Sequence, residues 1–222
     1  MERDWQLWDD EELVADLSRH WERSQAVRHR EQLAGVLEDL LVSDPECRTL
    51  LDFGSGTGNH VEMTQDLGLE YTGADVTPAM IKFARSRYEH VEFIEDDILA
   101  SRLANCSYDI VLSSDVLVHL PEFERPFATL YRLARRYVVI KLCYLTRRKG
   151  PRALLRRQPS TFARRNSLGF IERFFNIDDL QSDIERLHPG CRLTTTVFAS
   201  GQKTSPFQAI VVITKPGLTE IN

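Results

Sequence analysis

The rhythm of apolar positions changes near residue 44. Before it, Leu7, Trp8, Leu13, Val14 and Leu17 recur at helical spacing, followed by Leu33, Val36, Leu37, Leu40 and Leu41, so residues 1–42 read as helical. Asp44-Pro45 breaks the pattern. Short apolar runs then alternate with amphipathic stretches. Strands are predicted over Thr49–Phe53, Glu70–Asp75, Val91–Glu95, Tyr108–Ser113 and Tyr137–Leu142. Helices are predicted over about 58–67, Pro78–Tyr88 and Phe123–Leu133, the second with Pro in its first turn. Near the end, Arg192–Ala199 and Ala209–Thr214 read as an antiparallel hairpin. Such alternation implies an α/β domain with a mostly parallel sheet. No internal repeat or low-complexity segment interrupts it.

Size and composition fit that reading. The chain has 222 residues, 42% hydrophobic and 27% charged, enough for one ordinary domain and short for two. Its four cysteines, Cys47, Cys106, Cys143 and Cys191, are at least 37 residues apart, so no C-x-x-C metal pair or dense disulfide framework is expected. The first residues lack the basic head and apolar run of a signal peptide, and no apolar stretch approaches the roughly 18 residues of a membrane span. The expectation is a soluble, reduced, cytoplasmic domain, monomer or homodimer, without metal.

The strongest chemical signal is Leu50-Leu51-Asp52-Phe53-Gly54-Ser55-Gly56-Thr57-Gly58. A strand runs into a loop with glycine at every second position, ahead of a helix. Glycines allow tight turns and close approach of a ligand, and a following helix N-terminus would suit an anion. The spacing differs from the dinucleotide fingerprint G-x-G-x-x-G, whose last glycine would fall on Asn59. Asp75 ends the second predicted strand, where a carboxylate can accept both hydroxyls of a ribose. Asp97 follows the third, within reach of an adenine amino group. Each Asp, taken singly, also reads as a helix cap or turn residue.

These segments resemble the motifs of class I S-adenosylmethionine-dependent methyltransferases. Leu51–Gly58 is similar to their first motif, Gly73-Ala74-Asp75-Val76-Thr77-Pro78-Ala79-Met80-Ile81 to the second, Val91–Ile98 to the third and Tyr108–Leu120 to the fourth. Together they cover residues 50–120, about a third of the chain. The resemblance implies a Rossmann-like three-layer α/β/α sandwich with a mostly parallel seven-stranded sheet ending in an antiparallel strand. It also implies S-adenosylmethionine as cofactor. By that resemblance Gly54, Ser55, Gly56 and Gly58 pass close to it, and Asp52 orients the loop and faces the methionyl amino group. Asp75 would hold the ribose, Val76 would pack against adenine, Asp97 would bond its amino group, and Ile98 would belong to the same cofactor site. Ser113 or Ser114 would lie beneath the methionyl part. One departure is Leu133-Ala134-Arg135-Arg136, where the family often has a Gly-Gly turn.

Methyl transfer needs a base only when the nucleophile must lose a proton. His119, after the fourth strand, is the candidate, against the plainer reading of a helix-packing histidine. Asp115 can hold an acceptor amine or hydroxyl. The N-terminal helical segment, with Trp5, Trp8, His20, Trp21 and Arg28, is expected to cover the pocket; the aromatic residues either line the acceptor side or bury against the sheet, and Arg28 can reach the methionyl carboxylate.

Charge adds one clue. Residues 147–165 hold eight basic residues and no acidic one, so the net −5 of the chain leaves −13 on the rest. Arg147, Arg148 and Arg152 begin this segment, and clustered Arg suits phosphate or carboxylate. Its alternatives are a solvated helix, a mobile loop, a lid or a membrane-surface helix. The expected layout is a helical cover over 1–45, a cofactor-binding core over 46–142, a basic acceptor-side insertion and helix over 143–190, and a terminal hairpin over 191–222. The function that follows is methyl transfer to oxygen or nitrogen of a small or medium-sized acceptor, including an anionic one. An RNA or protein methyltransferase docking through the Arg segment and a non-catalytic cofactor-binding regulator are the alternatives.

Overall fold

The computed structural model describes residues 4–21, 24–146, 161–199 and 207–217. Ten strands occur there: β1 (Thr49–Phe53), β2 (Glu70–Asp75), β3 (Glu92–Glu95), β4 (Tyr108–Ser114), β5 (Ala134–Leu142), β6 (Leu145–Thr146), β7 (Thr161–Arg165), β8 (Ile171–Asn176), β9 (Arg192–Ala199) and β10 (Phe207–Thr214). The α-helices are α1 (Glu11–Trp21), α2 (Ser24–Ser43), α3 (Val61–Asp66), α4 (Pro78–Arg87), α5 (Glu124–Leu133) and α6 (Ile177–Leu187). Short 3-10 turns span Asp4–Trp8 and Leu117–His119.

Seven strands form one sheet in the order β3-β2-β1-β4-β5-β10-β9. β3 through β5 are parallel, and β10 inserts antiparallel between β5 and β9. Parallel strands with helices on both faces read as continuous apolar runs, because neither face meets water. Leu50 and Leu51 illustrate this: both are buried, one on each face. Leu33, Leu37 and Leu40 of α2 join Leu50, Ile110, Leu112 and Val139 on one side. Phe127, Leu130 and Leu133 of α5 join Leu51, Val111, Val138 and Ile140 on the other. The architecture is the Rossmann-like sandwich the sequence implies. The strand order reverses between β1 and β4, the position in open α/β sheets where a crevice beyond the carboxyl ends binds ligands.

Three sequence expectations need correcting. The helix expected from residue 58 starts at Val61, because Gly54, Gly56 and Gly58 all take positive φ and keep the chain out of a helix. The loop therefore does not run directly into a helix N-terminus, and α3 is too short to supply a strong one. The fifth strand starts at Ala134, with no turn after α5; Arg135 and Arg136 are fixed by Asp109 and by Asp44 and Glu46. The insertion after β5 contributes a second sheet, order β6-β8-β7, and Thr161–Arg165 is a strand rather than a charged helix. Its β8 leads into α6, capped by the Asn176 side chain accepting from the Asp178 amide.

The N-terminal segment lies over the carboxyl edge of the sheet. Asp9 Oδ1 accepts from the Ala79 amide at 3.0 Å, capping α4, and Glu11 pairs with Lys82 at 2.7 Å. Among the described residues no helix is long and apolar enough to cross a membrane.

Candidate functional site

The loop after β1 is held by its neighbour strand. The Gly54 and Ser55 amides both donate to the Ala74 carbonyl, at 2.6 and 3.0 Å. Gly54 has φ +87°, and a Cβ there would collide with the Val116 side chain. Gly58 has φ +82°, and a Cβ would press on Tyr88 and Phe93. Gly73 in β2 leaves the space that Phe93 and the Ser55 hydroxyl use. The loop thus carries backbone where side chains cannot go.

Asp75 sits at the end of β2 and holds the loop. Its Oδ2 accepts from the Gly56 amide and its Oδ1 from the Thr77 amide, both at 2.9 Å. Burial raises its pKa above the usual carboxylate value, against the lowering effect of those two bonds. Val76 beside it is half-buried. Asp97 accepts from the Leu99 amide at 2.9 Å in a local turn, and Ile98 is buried behind it.

Asp52 is fully buried. Its Oδ2 accepts from the Tyr71 hydroxyl at 2.8 Å and lies 3.0 Å from His60 Nδ1, which ties β1, β2 and the start of α3 together. Its Oδ1 is buried without a partner, and so are the hydroxyls of Ser55, Ser113 and Ser114. Buried polar atoms normally find partners. Loop and strand-end atoms left unpaired beside backbone glycines fit a polar ligand such as S-adenosylmethionine.

The next strand adds an ion pair whose lysine is buried. Lys141 of β5, only 3% exposed, forms an ion pair with Asp115. Asp115 has φ +60°, a left-handed conformation held partly by its amide donating to the Lys141 carbonyl at 3.0 Å. The Cys143 thiol hydrogen-bonds the same carboxylate, and burial foremost pushes that thiol well up. His29 of α2 completes the cluster: burial, then the Lys141 charge, lowers its pKa, and its Nε2 is buried and unpartnered. Asp115 Oδ1 is likewise unpaired.

His119 stands on the turn after β4. Its Nδ1 lies 2.9 Å from the Ile171 carbonyl oxygen of β8. A carbonyl only accepts, so in the neutral ring Nδ1 carries the proton and Nε2 keeps its lone pair. Trp8 packs edge-on at 5.0 Å between ring centroids and Tyr144 at 6.2 Å. Trp8 therefore meets the candidate base and Phe170 rather than burying against the main sheet.

Of the other expected residues, Trp5 is half-buried and Arg28 exposed. Arg147, Arg148 and Arg152 lie outside the described residues. At the far end of the basic segment, Arg164 pairs with Glu172 and Arg165 donates to the Gly169 carbonyl, so neither is committed to an external anion. Lys141, Cys143, His29, Tyr144 and Ile171 escaped the sequence reading. A lysine inside an apolar strand run was the one visible signal among them. No group of three or more His, Cys, Asp or Glu able to hold a metal gathers among the described residues.

Comparison with known proteins agrees with this geometry. Residues 51–140 match the family model described as a methyltransferase domain. Malonyl-[acyl-carrier protein] O-methyltransferase of Serratia marcescens is 34% identical over 86 residues, 39% of this chain and 34% of that protein. Demethylmenaquinone methyltransferase of Thermus thermophilus is 30% identical over 92 residues, 39% of this chain and 42% of that protein. The matched stretch spans between 5% and 42% of the curated relatives' lengths. Among solved structures, magnesium protoporphyrin IX methyltransferase of Synechocystis superposes with a TM-score of 0.65 at 17% identity, covering 97% of this chain and 98% of that one.

Proposed function

Because the chain carries a class I S-adenosylmethionine-dependent methyltransferase domain, we propose that it transfers a methyl group to an oxygen or nitrogen of a small or medium-sized acceptor. The observation that carries this reading is a convergence at one sheet edge. The glycine loop, Asp75 and His119 follow the carboxyl ends of the parallel strands β1, β2 and β4, and Asp75 accepts from the loop's Gly56 amide. Relatives whose names state small acceptors or a carrier-bound one support the substrate class.

S-adenosylmethionine, when bound, supplies a methyl group already activated on a sulfonium sulfur, which leaves with the bonding pair. The protein's work is therefore to hold and align. Asp75 accepts the ribose hydroxyls; Asp97, Val76 and Ile98 frame the adenine. Gly54, Ser55, Gly56 and Gly58 present backbone along the cofactor. The spare Oδ1 of Asp52 and the Ser114 hydroxyl would be the groups available to the methionyl end. Alignment of this kind is worth roughly 7–11 kcal/mol of barrier.

His119 takes the acceptor proton at Nε2. The Ile171 carbonyl fixes the tautomer that makes this atom the acceptor. Asp115 has a different role. Its charge is already matched by Lys141, so it orients an acceptor hydroxyl or amine through Oδ1 rather than serving as a free base.

The test is release of S-adenosylhomocysteine from S-adenosylmethionine across a panel of phenols, amines, carboxylic acids, phosphorylated metabolites and RNA. Turnover with a small acceptor is expected, falling about 10²–10⁴-fold in His119→Ala if the acceptor is a hydroxyl. RNA as the only productive acceptor, with strong salt dependence, would overturn the acceptor class. Unchanged turnover in His119→Ala would remove the base.

A further inference from the structure

Resting on that reading, we propose that Trp8, Tyr144, Phe170 and Phe174 form the acceptor subsite, and that it takes a planar hydroxylated aromatic ring carrying a second oxygen beside the reacting one. The chemistry follows from what surrounds His119. Trp8 and Tyr144 each meet the imidazole in an edge-to-face arrangement, at interplanar angles of 60° and 87°. Phe170 packs on Trp8 at 4.5 Å, and Phe174 on Tyr144 at 5.2 Å. The five rings come from four distant stretches of chain. The insertion and the N-terminal turn thus meet at the candidate base.

These rings are not the hydrophobic core. Phe53, Phe127 and Phe175 are fully buried there, whereas Trp8, Tyr144, Phe170 and Phe174 are each only half-buried. Alternation along β8 separates the two groups: Ile171, Arg173 and Phe175 point into the protein, and Phe174 points the other way. Half-exposed aromatic surface beside a base favours flat apolar ligands through stacking and edge contacts.

Tyr144 adds a polar handle. Tyr71, Tyr88 and Tyr137 each spend their hydroxyl on a carboxylate of the protein. The Tyr144 hydroxyl hydrogen-bonds none of the described residues, and its side chain is half-buried. Burial chiefly, with Cys143 and Glu172 nearby, pushes this phenol up to about 12, so it stays a donor. His119 thus keeps a lone pair at Nε2, and Tyr144, whose ring meets the imidazole at 6.2 Å, brings a hydroxyl donor to the same ring cluster. A ring with two adjacent oxygens answers both: one hydroxyl gives its proton to Nε2, and its neighbour accepts from Tyr144. A flexible aliphatic amine would use neither the walls nor the donor.

The experiment titrates 4-nitrocatechol into the protein saturated with S-adenosylhomocysteine, at a pH where the free probe is mostly protonated. Its visible band reports deprotonation. Wild type is expected to bind the probe and shift the band toward the phenolate. Tyr144→Phe, which keeps the ring, should weaken the probe about 3–10-fold, the value of one hydrogen bond. Trp8→Ala should weaken it about tenfold or more. His119→Gln should bind the probe without the shift. S-adenosylhomocysteine affinity in Tyr144→Phe should match wild type, which separates a subsite from a folding defect. Cofactor product that binds while the probe does not, or a probe affinity equal in wild type, Tyr144→Phe and Trp8→Ala, overturns the subsite alone. Failure of S-adenosylhomocysteine to bind wild type overturns the methyltransferase reading and the subsite with it.

Discussion

The contact between Gly54 and Val116 can be measured as a coupling. Gly54→Ala places a methyl group at φ +87°, where an L residue costs about 1–2 kcal/mol. It also drives that methyl into Val116 Cγ2, and overpacking of this kind costs about 1–3 kcal/mol. The single variant should therefore lose about 2–5 kcal/mol. Val116→Ala alone removes two methyl groups from a half-buried side chain and should lose about 1–2 kcal/mol. Combined, the overlap with Cγ2 disappears, although Val116 Cβ stays 3.2 Å from the new methyl, a tight contact. The double variant should consequently be more stable than the sum of the singles by about 1–3 kcal/mol. Urea unfolding of the four proteins gives this number directly. Additivity within about 0.5 kcal/mol would refute the close approach, and with it the reason for glycine at this point of the loop.

Other outcomes follow from neighbouring sites. Asp109 accepts from the Arg48 and Thr49 amides and from Arg135; burial alone would raise its pKa, but these bonds outweigh it and hold the carboxyl below its ordinary value. A folded-state pKa below the unfolded one contributes stability above the unfolded value, about 3.9, and loses it as pH falls through the folded value. Asp109→Asn should thus cost about 1.5–3 kcal/mol at pH 7, with the gap from wild type closing on acidification; a gap that widens in acid would contradict the assignment. Lys141→Met leaves the half-buried Asp115 carboxylate without its cation and should cost about 1.5–3 kcal/mol, while Lys141→Met with Asp115→Asn should recover most of it; thermal melts of both variants decide. Gly73→Ala should destabilise by about 1–3 kcal/mol, because Phe93 and Ser55 occupy the space its Cβ needs, and an unchanged denaturation midpoint would show that the packing yields freely.

Much of the sheet was legible because buried parallel strands leave a plain mark. Thr49–Phe53, with Leu50, Leu51 and Phe53, is such a run, and Glu70–Asp75 is a short segment bounded by turn residues; the ends of both agree with the structure. The α3 boundary was not legible, since apolar spacing cannot report that three glycines take left-handed φ. The second sheet was hidden by Arg173. This residue points inward and satisfies the Leu120 and Pro121 carbonyls and the Thr161 hydroxyl, so a charge stands where the pattern of a strand would show an apolar side chain. The same applies at the site. Asp75 and His119 stand at strand ends and announce themselves by position. Lys141, Cys143 and His29 gather around Asp115 only through tertiary packing, from β5 and α2, and no local spacing links them. The Ile171 carbonyl that sets the His119 tautomer is a backbone atom 52 residues away, which no side-chain pattern encodes.

The central claim is that the loop after β1 and the carboxylate after β2 hold S-adenosylmethionine. Calorimetric titration of S-adenosylhomocysteine into wild type and Asp75→Ala tests it most directly, with denaturation midpoints measured on the same samples. The account predicts saturable one-to-one binding to wild type and at least about tenfold weaker binding to Asp75→Ala, a loss of about 1.4 kcal/mol or more with the variant still folded. No binding to wild type, or equal affinity in a folded Asp75→Ala, would contradict it.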